Sequence, residues 1–161
     1  MAAVSATQPL VAGLGLRATA RANHLQALWQ QACDWLVQQP DWPAGQVPTV
    51  TTLAVLAHKA GHPALQAWRA QLPWATRLLA LPPVQLAGQP VPTQSARLLA
   101  RYGTGSVAEA AALVAAGPGA RLWRPRWVAA DGCATLALAL ACAAPSFDCV
   151  SGEAIASPLE E

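Results

Sequence analysis

Short apolar blocks alternate along the chain with stretches in which apolar residues recur at helical spacing. The blocks at residues 10–16 and 133–141 have the length and composition of buried strands. Between them, residues 20–39 place apolar side chains on one face at a period of 3.6, with Thr19 as the predicted cap. Strands interleaved with helices predict a single three-layer α/β/α domain around a mixed sheet of about 4–6 strands.

The middle of the chain has a weaker pattern. Residues 51–60 predict a short helix, although the β-branched residues at their start also fit a strand. Residues 63–71 predict a helix that begins at Pro63. Residues 74–81 and 120–128 are predicted strands, and the second is joined to the last strand by a turn.

Residues 103–113 read GTGSVAEAAAL, a glycine loop that leads into a helix predicted to span 107–116. Ser106 and Glu109 have the spacing of a capping box, in which each side chain accepts a hydrogen bond from the backbone amide of the other. The free N–H groups and the dipole at such a helix start favour a bound anion. The loop therefore predicts an anion site at Gly103, Thr104, Gly105 and Ser106.

A second pair of glycines, Gly13 and Gly15, precedes Arg17 in the form G-x-G-x-x-A and predicts a tight turn with affinity for an anion. A dinucleotide site also requires an acidic residue about 20 positions later, at the end of the next strand. The sequence offers only Asp34 inside a predicted helix and Asp41 in a proline-rich loop. No G-K-[ST] follows either glycine loop, which excludes a P-loop, and no cofactor is predicted.

The composition excludes a disordered chain, because 54% of residues are hydrophobic and only 11% are charged. The longest nearly apolar run, residues 133–144, is too short to span a membrane, and the N-terminus lacks the basic region of a signal peptide. We therefore predict a cytoplasmic protein without a membrane partner. The formal charge is +2, but residues 1–147 carry ten basic and four acidic residues, a net +6 that favours an anionic ligand.

The domain is predicted to occupy residues 10–143, after an N-terminal tail at 1–9. Residues 144–161 form a predicted, partly disordered tail that contains four of the eight acidic residues. Cysteines at positions 33, 133, 142 and 149 show no C-x-x-C spacing and are predicted to be buried free thiols. His58 and His62 stand four residues apart, but Gly61 and Pro63 interrupt the helix that would present both to one metal ion, so no metal site is predicted.

Tryptophan is unusually abundant, with seven residues against one phenylalanine and one tyrosine. Trp123 and Trp127 flank Arg124 and Arg126. This interleaving fits core packing with the arginines in solvent, and it also fits a surface for a flat anion or single-stranded nucleic acid. The modest net charge and the lack of lysine-rich patches disfavour nucleic acid, so no nucleic-acid partner is predicted.

Four segments resemble, in this order, the family of the cobalamin biosynthesis protein CobE and the C-terminal domain of CbiG. The resemblance covers roughly residues 10–141 and is carried by residues 11–20, 53–65, 91–113 and 120–139. The glycine turn before Arg17, and Ser95 ahead of the GTGS loop, are its most specific features. Lys59 matches a family lysine and Arg126 replaces another, whereas Ala57 and His62 replace family acidic residues.

The resemblance implies a role in building the corrin ring of vitamin B12, in which CbiG opens the δ-lactone of a cobalt-precorrin-5 intermediate. Corrin precursors are flat, apolar and ringed by carboxylates, so the implied partner is a precorrin or corrin tetrapyrrole. Three functions stay open: an accessory or carrier protein for this ligand, a lactone-opening hydrolase, or a module that binds other enzymes of the pathway. The catalytic candidates are Glu109 and Lys59, and the ligand-binding candidates are Gly13, Gly15, Arg17, Lys59, Ser95, Gly103, Thr104, Gly105 and Ser106.

Overall fold

Six strands form one mixed sheet in the computed structural model, which describes residues 10–141. The order across the sheet is β3 (Arg77–Leu81), β2 (Val50–Leu56), β1 (Leu10–Leu16), β6 (Ala134–Leu140) and β4 (Arg121–Leu122), and β5 (Trp127–Val128) also pairs with β6. Strands β1, β2 and β3 run parallel to one another. Strand β6 is antiparallel to β1, β4 and β5. This mixed sheet confirms the predicted α/β class.

Helices cover both faces of the sheet. Helices α1 (Ala22–Leu36) and α2 (Pro63–Gln71) pack on one face. The other face carries α3 (Pro83–Leu86), α4 (Ala96–Tyr102) and α5 (Val107–Ala116). A 3₁₀ turn at Ala57–Lys59 follows β2. The three predicted layers are therefore present.

Alternation along β1 divides its side chains between the two layers. Leu10, Ala12 and Leu14 lie in the core beneath α1 and α2, and each is at most 1% exposed. Gly13 faces the opposite layer, where the backbone of α5 lies directly against it. Each fully buried leucine contributes about 2 kcal/mol to folding. Most of the fully buried leucines lie on the face covered by α1 and α2, so this face contributes most of the core.

Tryptophans fill much of the first layer. Three edge-to-face pairs hold ring centroids 5.8–6.3 Å apart, and they are Trp29–Trp74, Trp35–Trp127 and Trp42–Trp123. Arg124 places its guanidinium 4.6 Å from the ring centroid of Trp127, which is only 5% exposed. The tryptophans therefore pack as core, as in one of the two arrangements that the sequence fits, but the arginines are not in solvent: Arg124 stacks on a ring and both Arg124 and Arg126 are partly buried.

Two predicted helices differ in the structure. Helix α1 begins two residues later than predicted, because Ala20 donates to the carbonyl of Arg17 at 3.0 Å and closes a turn; Thr19 lies in this turn and Arg21 is the cap. The helix predicted at residues 51–60 is wrong. The alternative, a strand that the β-branched residues fit, is confirmed for its first part, which is β2 and pairs with β1 and β3.

The strand predicted at residues 120–128 is divided into β4 and β5. Both pair with β6, but Pro125 lies between them and has no N–H to donate to a sheet. Strand β3 begins three residues later than predicted and α1 ends three residues earlier, whereas α2 has the predicted limits. Helix α5 spans the predicted residues, and Ser95 caps α4 through a hydrogen bond from the amide of Leu98 at 3.4 Å.

Cys33 and Cys133 form no disulfide in the part of the chain that the structure describes. Cys133 is buried, as predicted, whereas Cys33 is partly exposed on α1. Cys142, Cys149 and the two predicted tails lie outside residues 10–141. Among the helices described, none has both the length and the apolarity needed to cross a bilayer.

Cys33 is expected to resist alkylation. Burial raises the pKa of its thiol to about 12, and the adjacent Asp34 carboxylate adds to the shift. The thiolate fraction at pH 8 is therefore about a thousandfold below that of a free cysteine. Iodoacetamide labelling followed by peptide mass spectrometry measures this directly, with urea-denatured protein as the control. Labelling of native Cys33 at the rate of the denatured chain would contradict the prediction.

Candidate functional site

A cavity of about 440 Å³ opens at the sheet edge where the parallel strands β1 and β2 end. Gly15 and Leu16 from β1, Arg17 just after it, and Leu56 from β2 line this end. In open α/β sheets, ligands bind outside the carboxyl ends of the strands, where neighbouring connections leave in opposite directions. At this edge β1 ends between β2, which is parallel to it, and the start of β6, which is antiparallel to it.

The remaining walls come from one helical layer and from the sheet. Helix α4 contributes Leu98 and Tyr102, and α5 contributes only its first residue, Val107. The start of β6 supplies Ala134 and Thr135. The cavity thus has apolar and aromatic walls, at a volume within the range of small-molecule sites, about 300–1,000 Å³.

Positive charge distinguishes this cavity. Five basic residues line it, from four different segments of the chain: Arg17, Lys59, Arg97, Arg101 and Arg126. Within residues 10–141, no aspartate or glutamate lines it. A concave surface with one sign of charge concentrates oppositely charged ligands, and arginine is suited to bidentate binding of carboxylates. The geometry therefore favours an anion with several carboxylates.

The backbone of Arg17 is held on two sides. Its amide donates to the carbonyl of Cys133 at 2.8 Å. Its carbonyl lies 2.9 Å from Nε2 of His62, whose Nδ1 accepts from the amide of Ala64 at 3.1 Å. Because Nδ1 is an acceptor, the ring proton lies on Nε2 and is donated to Arg17. His62 therefore caps α2 and positions Arg17, and both of its ring nitrogens are used.

Four of the predicted binding residues come together at the cavity: Gly15, Arg17, Lys59 and Ser95. Gly13 instead lies beneath α5. The loop at residues 103–106 does not contribute to the cavity lining. The two glycine segments therefore do not form one shared anion site, although the residue that follows the loop, Val107, does reach the cavity.

The glycine loop has a packing role in the structure. Gly103 has φ +75° and ends α4, which favours glycine. A Cβ at Gly105 would lie 2.3 Å from the carbonyl oxygen of Thr93, so the loop needs glycine for this close approach. Thr104 and Ser106 are almost fully buried, and the hydroxyl of Thr104 accepts from the amide of Ser106 at 3.4 Å. These contacts close the loop against its neighbours.

Only half of the predicted capping box is present. Ser106 caps α5 by accepting from the amide of Glu109 at 3.3 Å, which is confirmed. The predicted second bond of the box, from the amide of Ser106 to the Glu109 side chain, is wrong, because that amide donates to Thr104. The Glu109 carboxylate instead accepts from two segments distant in sequence. It accepts from the amide of Thr93 at 3.0 Å, from the hydroxyl of Thr93 at 2.6 Å and from the amide of Arg126 at 2.8 Å. Glu109 is fully buried and does not line the cavity.

Arg97, Arg101 and Arg126 line the cavity but were not among the predicted binding residues. The spacing of Arg97 and Arg101 on one helix gave the available signal, since residues four apart share a face. Arg101 also places its guanidinium 5.1 Å from the ring centroid of Tyr102, another lining residue. A positive charge is thus held over the aromatic wall.

Cys133 lies at the cavity and contacts a second cluster of ionisable groups. Its Sγ is 3.1 Å from Nδ1 of His24, and Nε2 of His24 is 3.4 Å from Oδ2 of Asp131. Hydrogen bonds from Cys133, its thiol first and its amide second, lower the pKa of Asp131. Burial is the main cause that raises the pKa of Cys133. Neither His24 nor Asp131 was predicted as a site residue.

Most of the chain matches the model of one known protein family. A family model described as "Cobalamin synthesis G C-terminus" matches residues 10–139, which include both glycine segments and all five cavity cations. The chain belongs to this family. It is thus a protein of cobalamin biosynthesis, and the resemblance inferred from its sequence is confirmed.

Solved structures of the family share the fold. The crystal structure of CobE, a protein from the cobalamin (vitamin B12) biosynthetic pathway, is 29% identical with a TM-score of 0.65, covering 83% of this chain and 90% of CobE. The cobalamin biosynthesis protein chiG from Agrobacterium tumefaciens is 30% identical with a TM-score of 0.55, covering 81% of this chain and 96% of that one.

A more distant match extends the fold comparison. A cobalamin biosynthesis protein G homolog from Sulfolobus solfataricus is 14% identical with a TM-score of 0.58. The match covers 83% of this chain but only 37% of the homolog. At this identity the match shows the fold alone. A search among curated proteins gave no significant match.

Proposed function

We propose that this protein binds a precorrin or corrin intermediate of cobalamin biosynthesis in the cavity, as an accessory or carrier protein. The observation that carries the proposal is the set of five basic residues around one cavity that, within residues 10–141, has no acidic residue in its lining. Corrin precursors present acetate and propionate carboxylates around their rim. Arginine and lysine side chains at several points of the cavity mouth match such a rim better than they match a single anion.

The walls support the same class of ligand. Leu56, Leu98 and Val107 offer apolar contact, and Tyr102 offers an aromatic ring beside Arg101. An edge of a flat macrocycle would contact these groups while its carboxylates reach the basic residues. Other enzymes of the pathway would deliver and receive the ligand.

Binding is favoured over lactone hydrolysis as the proposed function. Lactone opening needs a general base beside the reacting carbon. Glu109, a catalytic candidate from the sequence, is fully buried and its carboxylate already accepts three hydrogen bonds. Lys59 does line the cavity, where it serves as one of the five cations.

Titration with hydrogenobyrinic acid, followed by visible absorbance, tests the proposal. We expect saturable binding at micromolar concentrations that weakens as salt is added, because the side chains of Arg17, Arg97 and Arg101 are exposed and salt screens exposed charges. Arg17→Gln should weaken binding about tenfold, the loss of one charge-assisted contact.

Matched controls distinguish specific recognition of the carboxylates from nonspecific binding of the macrocycle. Arg77→Gln removes an exposed arginine on β3 that lies outside the cavity lining, and it should leave the affinity unchanged. A corrinoid whose carboxylates are amides should bind much more weakly than the acid. Equal affinity for the two macrocycles, or no spectral change with the acid, would count against the proposal.

A further inference from the structure

His24, Asp131 and Cys133 bring three kinds of metal-ligating side chain to one point at the end of the sheet. His24 is in the first turn of α1, and the other two lie in the turn that leads into β6. One ligand atom from each residue lies within 4.8 Å of the other two. His24 lies more than 100 positions from Asp131 and Cys133 in sequence, so the fold itself brings it to the other two.

We propose that these three side chains bind a divalent cation of the zinc class. Thiolate, imidazole and carboxylate are the ligands that Zn²⁺ takes in proteins, at about 2.0–2.3 Å from the metal. A tetrahedral site of these dimensions separates its ligand atoms by about 3.3–3.7 Å. The 3.1 Å between Sγ of Cys133 and Nδ1 of His24 lies close to that range. Oδ2 of Asp131 is 3.4 Å from the other ring nitrogen, Nε2, so the exposed Asp131 side chain must turn towards Nδ1 for all three residues to bind one ion.

The surroundings leave the ligands available. Oδ1 of Asp131 accepts from the amide of Cys133 at 3.2 Å, which holds the carboxylate beside Cys133 and leaves Oδ2 without a bond to this amide. Asp131 is exposed and His24 is partly exposed, so an ion can enter from solvent, while Cys133 forms the buried side. Binding replaces the thiol proton, which passes to solvent, and it displaces the amide of Arg21 from Nδ1 of His24.

Three protein ligands leave one coordination position open, as in catalytic zinc sites. Cys133 and Gly132 also line the cavity. Water, or a carboxylate of a molecule in the cavity, would complete the coordination. The site would then give that molecule a contact that the five basic residues do not provide. Metal binding itself does not depend on the proposed tetrapyrrole function, because the ion alone is the probe.

Titration of the untagged, chelator-treated full chain with Co²⁺ tests the site. Cysteines outside the described residues are removed in a C142S/C149S background. We expect one equivalent of Co²⁺ to produce a thiolate-to-cobalt charge-transfer band that Zn²⁺ abolishes by competition. Cys133→Ser should eliminate the band, and His24→Gln should weaken the affinity for Zn²⁺ at least tenfold.

Two further variants keep the test decisive. Asp131→Asn changes an exposed side chain, so the protein should stay folded. Its affinity for Zn²⁺ should fall at least tenfold, and Zn²⁺ should no longer raise its melting temperature as it does in the parent chain. Cys33→Ser removes a thiol outside the cluster and should change neither readout. The absence of a charge-transfer band, or its persistence in Cys133→Ser, overturns the proposal, and so does unchanged Zn²⁺ affinity in Asp131→Asn.

Discussion

Replacing Glu109 with alanine is expected to lower the free energy of unfolding by about 3–5 kcal/mol. The fully buried carboxylate is the acceptor for the amide and hydroxyl of Thr93 and for the amide of Arg126. Its removal leaves two backbone N–H groups without that acceptor, at about 1–3 kcal/mol each, and opens a cavity under α5. This loss is a large fraction of the 5–15 kcal/mol that typically stabilises a domain.

Urea unfolding followed by tryptophan fluorescence measures the change, since several tryptophans lie in the core. Glu109→Gln keeps the shape but offers only one acceptor oxygen, so its loss should be smaller, at about 1–3 kcal/mol. Thr93→Val removes only the hydroxyl bond and should cost least, about 1 kcal/mol. If Glu109→Gln were as stable as the parent chain, the carboxylate would not be the anchor we describe.

The behaviour of Glu109 shows where sequence reasoning stops. Ser106 could be identified as a cap because its bond spans three residues, and the helix it begins has the predicted limits. Thr93 and Arg126 lie 16 and 17 residues from Glu109, and no local spacing indicates that they meet it. Their donors reach Glu109 only because the fold brings both segments to the start of α5.

In the cavity, too, local sequence predicts some of the lining residues and only the fold brings in the others. Arg17 could be predicted because a glycine segment precedes it, and Lys59 because of the family resemblance. The convergence of Arg97, Arg101 and Arg126 on the same space depends on how α4 and the β4–β5 segment pack against the sheet. The local pattern of residues 51–60 fits a helix and, at its start, a strand, and pairing with strands distant in sequence decides for β2.

At Gly13 the sequence motif could be recognised, but the reason for the glycine differs from the one that the motif suggests. Before a helix, G-x-G suggests a turn that approaches an anion. In the structure Gly13 is inside β1, and its missing side chain makes room for α5 rather than for a ligand. The backbone of that helix lies so close to the strand that only a hydrogen fits between them.

Replacing Gly13 with alanine is therefore expected to cost about 3 kcal/mol or more, and to lower the melting temperature by about 2–4 °C for each kcal/mol. The added Cβ would lie 1.9 Å from the carbonyl oxygen of Ala108 and 2.5 Å from the amide nitrogen of Ala112. Both atoms belong to the backbone of α5, so no rotamer change relieves the clash and the helix must move off the sheet. Thermal unfolding followed by circular dichroism measures the effect.

Two other glycines provide the controls. Among residues 10–141, apart from Gly61 and its two chain neighbours, no heavy atom lies within 4 Å of a Cβ placed at Gly61, so Gly61→Ala should change stability by less than about 0.5 kcal/mol. At Gly15 the nearest atom is Oγ1 of Thr135 at 2.4 Å, which belongs to a side chain. Gly15→Ala should therefore be destabilising alone and recover when Thr135→Ala is added. No single side-chain truncation can rescue Gly13→Ala in this way, and a stable Gly13→Ala protein would show that α5 can shift at little cost.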